Sequence, residues 1–220
     1  MENLDAFLKP GRFINSDHPL VRETVAEILA GAESAPEAEK ARRVFDFARD
    51  KIWFSPWEPS REDDSVTAST VLRTRKGFCA HKGVALTALA RAAGIPARVG
   101  MLDMRNHQAA ERLKQMLRTN VFIGGAFTDM YVNGRWTRFT PVFNVELCQK
   151  LGWPVVRWNG VGDAMWPPVL ADGRPYIEVL TVHGVFEDWP HDLFKKLVSE
   201  FYSSESLKEW ETVKSQSAGR

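Results

Sequence analysis

Several common functions leave marks that this sequence lacks. No uncharged apolar run approaches the ~20 residues that span a bilayer, and the most apolar region, 84–102, is broken by Arg91 and Arg98. The start, MENLDAFLKPGRF, has no basic end followed by an apolar stretch, so no secretory leader is read and a cytoplasmic protein is expected. Two cysteines, Cys79 and Cys148, are too few for a disulfide framework. There is no CxxC pair, no HExxH and no EF-hand loop, so neither a metal nor another cofactor is expected. The net charge of +1 leaves no global basic field to hold nucleic acid or an anionic membrane. One local basic run, Arg73-Thr74-Arg75-Lys76, reads on charge alone as a solvated turn.

What is present suits a globular protein. A chain of 220 residues with 44% hydrophobic and 26% charged residues can bury a sizeable core. The eight tryptophans sit mostly near prolines, glycines or turns; most serve as core or loop anchors, and a minority could wall an apolar pocket. Apolar spacing predicts a helix over 16–31, capped by Ser16 or Asp17, and a second over 34–54 opened by a Ser34–Glu37 capping box. A Pro- and charge-rich loop follows at 55–65. A nearly all-apolar helix starts at Cys79 and stops at Gly94, with Pro96 beyond it. A strand over 97–104 and an amphipathic helix over 108–118 come next. Asn133-Gly134, between two β-rich runs in 120–143, is the strongest short hairpin signal. A further strand is expected at 175–182 and a C-terminal helix at 191–213. The order of elements reads as one α+β domain.

Several motifs carry a resemblance. Gly77-Phe78-Cys79 opens the apolar helix, and Arg91-Ala92-Ala93-Gly94-Ile95-Pro96-Ala97-Arg98 closes it; Gly134-Arg135-Trp136 forms the later turn. Together with Ala68-Ser69-Thr70-Val71-Leu72 they resemble the transglutaminase-like superfamily, the papain-like cysteine fold in its bacterial form. Asp103-Met104-Arg105-Asn106-His107 and the stretch Thr140 to Cys148 are similar to a bacterial subgroup of it. The resemblance covers about 65–144. It implies one domain over 1–220: a helical part at 1–60, a central Cys-bearing helix packed on an antiparallel sheet, and a C-terminal extension over 145–220.

The resemblance places the family nucleophile on Cys79. A helix N-terminus and the upstream Arg73, Arg75 and Lys76 would favour its thiolate. The family His falls on Gly125 and the family Asp on Thr140, so the expected triad is degenerate. The imidazole would move the thiol proton, and a substitute is needed. His81 lies two residues from Cys79 on the same helix and points elsewhere. His107 on a pocket rim and Asp129 on the same strand face as Gly125 are the candidates; each could instead be structural. His183 and His191 read as structural or surface residues. Loss of the ring would open space beside Cys79, and Gly124-Gly125 would admit a ligand close to the backbone, unless it is only a bulge. Gly125, Phe127, Thr140, Asn106 and Trp136 are the groove-lining candidates.

Three functions stay open. One is an atypical cysteine-dependent enzyme, acting by acyl transfer or hydrolysis on a small-molecule or peptide-like substrate. Another is a lyase, isomerase or cyclase using Cys79, His107 or Asp129 as acid or base. The third is a binding module that has kept the groove and lost the chemistry. Oligomeric state is not readable.

Overall fold

A computed structural model describes residues 3–58, 62 and 64–217, with side chains as far as residue 212. Part of the 55–65 loop lies outside the described residues. After a short 3-10 turn at Leu4–Leu8 come helices α1 (Pro19–Ile28) and α2 (Glu37–Lys51). Both follow the apolar spacing, burying Val21 and Val25 from α1 and Ala41, Val44, Phe45 and Ala48 from α2. Their starts differ from the sequence reading. The cap of α1 is His18, whose ring nitrogen accepts the Leu20 amide at 3.2 Å, not Ser16 or Asp17. Pro19, with φ preset for the first helical position, favours that later start. α2 follows Pro36 without a side-chain cap, so the Ser34–Glu37 box does not form.

Strand β1 (Trp53–Phe54) reaches helix α3 (Ala68–Thr74) through a loop, and strand β2 (Lys76–Gly77) then pairs with β1 in parallel. That pair anchors the chain just before helix α4 (Cys79–Ala92). α4 is buried at every residue but Ala92 and packs on α1, α2 and α3, as a helix apolar on all sides must. Its one lysine is an exception with an explanation. Lys82 is fully buried, and its ammonium donates to the carbonyls of Arg49 at 2.8 Å and Ile52 at 2.6 Å. These acceptors lie at the C-terminal end of α2, where a cation is favoured. Burial nevertheless holds the Lys82 ammonium well below the usual lysine range, with Asp50 opposing the shift.

Asn144 completes this knot. Its Nδ2 donates to the same two carbonyls at 2.6 and 3.0 Å, and its Oδ1 accepts the Phe54 amide at 2.7 Å. Asn144→Ala leaves the Phe54 amide without that acceptor, and urea denaturation should show a loss of about 2–3 kcal/mol. An unchanged midpoint and slope would mean that water replaces the lost bonds.

The main sheet contains β3 (Ala97–Asn106), β4 (Val121–Val132), β5 (Arg135–Phe139) and β6 (Ile177–Phe186), antiparallel in the order β5-β4-β3-β6. Asn133 and Gly134 turn the β4–β5 hairpin with φ of 54° and 78°, the conformation this dipeptide favours. Helix α5 (Glu111–Leu117) links β3 to β4, and α6 (Val145–Leu151) follows β5. The Cys-bearing helix meets the sheet through Gly83, whose bare Cα faces the Ala126 side chain, and through Thr128, whose hydroxyl donates to the Gly83 carbonyl at 3.0 Å. The fold is therefore α+β, with the predicted central helix against an antiparallel sheet.

Two features depart from the sequence reading. β6 belongs to the segment past 145, yet it pairs with β3, so that segment completes the sheet. The single helix expected over 191–213 is two, α7 (His191–Phe201) and α8 (Ser204–Ser217). Tyr202 leaves the helix with extended backbone, and the Ser203 hydroxyl accepts the Ser206 amide at 3.1 Å to start the next one. Among the described residues no helix is long and apolar enough to cross a membrane, and no group of three or more His, Cys, Asp or Glu could hold a metal ion.

Candidate functional site

Cys79 is the first residue of α4, after the extended Phe78. Backbone amides of Ala126, Ala80 and Cys79 itself face the sulfur and favour its thiolate. Burial acts the other way and prevails, pushing the thiol up to about 11. This overturns the expectation that the helix terminus and the basic run would depress it. Arg75 does not serve the sulfur: its guanidinium stacks over the Phe47 ring at 4.7 Å. Nor is any basic side chain among the groups that perturb Cys79.

The sulfur borders a cavity of about 330 Å³. Phe54, Trp57 and Phe78 wall it on the side of the β1–β2 pair. Met104 and Asn106 come from the end of β3, Leu113 and Leu117 from α5, and Phe122 and Ile123 from β4. Phe143, Leu147 and Trp153 reach in from around α6, and Phe194, Tyr202 and Trp210 from the C-terminal helices. Among the described residues the lining has no carboxylate, imidazole, ammonium or guanidinium. The Tyr202 hydroxyl is already engaged, donating to the Val121 carbonyl at 3.0 Å and accepting the Ile123 amide at 3.1 Å.

Of the residues singled out from the sequence, the cavity brings together Cys79 and Asn106. His107, one residue on, is off the lining; its ring lies 3.4 Å from the Glu178 carboxylate, which also holds Arg105 at 2.8 Å. Asp129 shares a strand face with Gly125 but is buried in ion pairs, with Arg138 at 2.9 Å and Arg98 at 3.4 Å. Phe127 is fully buried beneath the Arg138 guanidinium, 3.7 Å from its ring. Trp136 stacks with Arg98 at 4.0 Å, and the Thr140 hydroxyl donates to the Ala164 carbonyl at 3.2 Å. His81 packs edge-on against Phe78, His183 pairs with Asp103 at 2.8 Å, and His191 lies against Phe13.

Nor is the space at Gly125 open. A Cβ there would meet the Met104 methyl at 3.1 Å and Leu102 at 3.3 Å. Next to it Gly124 sits in a β4 bulge, where Leu102 pairs with Gly125 but Met104 pairs with Phe122. The neighbour that approaches this bare backbone is the Phe194 ring of α7.

A profile of the Transglutaminase-like superfamily matches residues 22–141, more than half of the chain, and spans α4 and its Cys79. The chain belongs to the transglutaminase-like superfamily. The match begins within α1, so the N-terminal helices are part of the family domain. Three solved structures are similar. One is a Cytophaga hutchinsonii protein solved as a candidate cysteine protease, at 15% identity and TM-score 0.47, covering 84% of this chain and 55% of that one. Another is a candidate protease from Parabacteroides distasonis ATCC 8503, at 20% identity and TM-score 0.38, covering 61% and 24%. The third is the periplasmic domain of TgpA from Pseudomonas aeruginosa bound to ethylmercury, at 24% identity and TM-score 0.38, covering 61% and 46%. The chain thus matches about half the length of the first and less of the other two. No curated protein matches it.

The C-terminal wall of the site escaped the sequence reading. Phe194 and Val198 sit four apart on α7 and share its apolar face, a legible signal, but their partner surface lies some 75 residues earlier in Phe122 and Ile123. Tyr202 and Trp210 come from either side of a helix break that apolar spacing alone did not reveal.

Proposed function

We propose that this member of the superfamily binds a small molecule in the Cys79 cavity, with the cysteine held as a neutral thiol in its wall. The observation that carries the reading is the lining itself. Its described residues offer Cys79 no side chain that would accept a proton near neutral pH. A large apolar cavity with few polar groups is the ordinary form of a small-molecule site. It suits a peptide poorly, since the bound backbone would find few partners for its amides and carbonyls.

A second reading retains turnover, and the three amides facing the sulfur favour it. There the ligand brings the missing base: sulfur adds to a ligand carbonyl carbon while the thiol proton passes to a basic nitrogen of the same ligand. The amides would then stabilise negative charge as it develops.

Titration with the uncharged dye 1-anilinonaphthalene tests the binding reading. Wild type and Cys79→Ala should bind the dye within about twofold of each other. Ala110→Trp, placed at the exposed mouth, should weaken binding at least tenfold. Absence of binding, or binding indifferent to Ala110→Trp, overturns the proposal.

A further inference from the structure

On the wall of this apolar cavity Asn106 carries an unused polar atom. Asn106 is buried, with 8% of its surface exposed, and lines the cavity at the end of β3. Its Oδ1 accepts the Gln108 amide at 2.9 Å. That bond fixes which end of the side-chain amide is oxygen, because a backbone N–H requires an acceptor. The Nδ2 donor has no hydrogen bond among the described residues. A donor on an otherwise apolar wall is satisfied only by a ligand or water that enters the cavity.

Resting on the small-molecule reading above, we infer that the cavity takes an uncharged hydrocarbon compound bearing one carbonyl, with that oxygen accepting from Asn106 Nδ2. The charge state follows from the walls. The described lining has no cation, so a buried carboxylate would lie unpaired. Arg112, over the Trp57 ring at 5.4 Å, is the cation that an acid would have to recruit. Size follows from the volume: about 330 Å³ holds on the order of ten carbon-sized groups, if each displaces about one water's ~30 Å³. The body could be an acyl chain or a fused aromatic ring, as Leu113 and Leu117 suit the one and Phe122 and Trp153 the other.

Titrations monitored by tryptophan fluorescence decide. The ligands are decanamide, 2-naphthamide and decanoate, against wild type, Asn106→Asp and Ala110→Trp. At least one amide should bind wild type, decanamide at least tenfold more tightly than decanoate, and the better amide names the body. Asn106→Asp keeps an acceptor for the Gln108 amide but removes the donor, so amide binding should weaken at least tenfold while binding of the uncharged anilinonaphthalene dye, which needs no donor, changes by less than about threefold; the unpaired carboxylate should also lower the melting temperature. Decanoate binding as tightly as decanamide, or an amide affinity unmoved by Asn106→Asp, overturns the inference. If neither amide binds while the anilinonaphthalene dye still responds to Ala110→Trp, the ligand class is wrong and the binding reading stands. If the dye fails as well, both fall.

Discussion

Alkylation of Cys79 by iodoacetamide at pH 8 is expected to run about two-hundred-fold slower than that of free cysteine, with the rate still climbing at pH 10. The factor follows from thiolate populations. A free thiol with a pKa of ~8.5 is about a quarter ionised at pH 8. One held at about 11 by burial is about 0.1% ionised there. Three amides pull toward the thiolate and still lose to desolvation, so the balance depends on how closely the apolar walls surround the sulfur. Peptide mapping separates Cys79 from Cys148, which is also buried. The same shift has a stability consequence. The folded state keeps its proton above the pH at which the unfolded thiol releases it. Stability contributed by the neutral thiol is therefore complete below the free-thiol value of ~8.5 and is lost as pH rises toward about 11. Half-maximal labelling below pH 8 would show a standing thiolate and would sink the neutral-thiol reading in favour of a cysteine enzyme with a partner of its own.

That outcome turns on something local sequence could not express. The position of Cys79 at a helix start was legible, since Gly77-Phe78-Cys79 and the Gly94 stop are adjacent signals. Likewise the Asn133-Gly134 hairpin is a short-range device and forms as read. Proton affinity, by contrast, is set by desolvation, and the cavity walls around Cys79 come from Phe194, Tyr202 and Trp210, more than a hundred residues away. The basic run suggested the opposite sign because charge can be read along a chain while burial cannot. Asp129 illustrates the same limit. Alternation correctly puts it on one face with Gly125, but Arg98 and Arg138, from neighbouring strands, claim its carboxylate. Asn106 was legible as a candidate through its motif. Its significance, an unengaged donor in an apolar wall, depends on the Gln108 bond that orients it.

Gly124→Ala should be among the most destabilising single-methyl additions in this protein, costing about 3 kcal/mol or more, and it should also disturb the cavity. Two effects add. At φ of 69° an alanine is strained by roughly 1–2 kcal/mol. The new methyl also enters the Phe194 ring, which is 1% exposed and must be pushed toward the cavity it lines; overpacking of that kind costs about 1–3 kcal/mol. Gly31→Ala supplies the control. Its φ of 71° carries the same strain, but nothing lies within 4 Å of its Cβ, so about 1–2 kcal/mol is expected. The difference between the two variants, read from urea midpoints, isolates the contact between the β4 bulge and α7. Phe194 lines the cavity, so the displaced ring should also weaken decanamide or dye binding in Gly124→Ala but not in Gly31→Ala. Equal losses in the two variants would mean that α7 yields without cost. The bulge would then be a passive irregularity of β4 rather than the seat that holds Phe194 in the wall of the site.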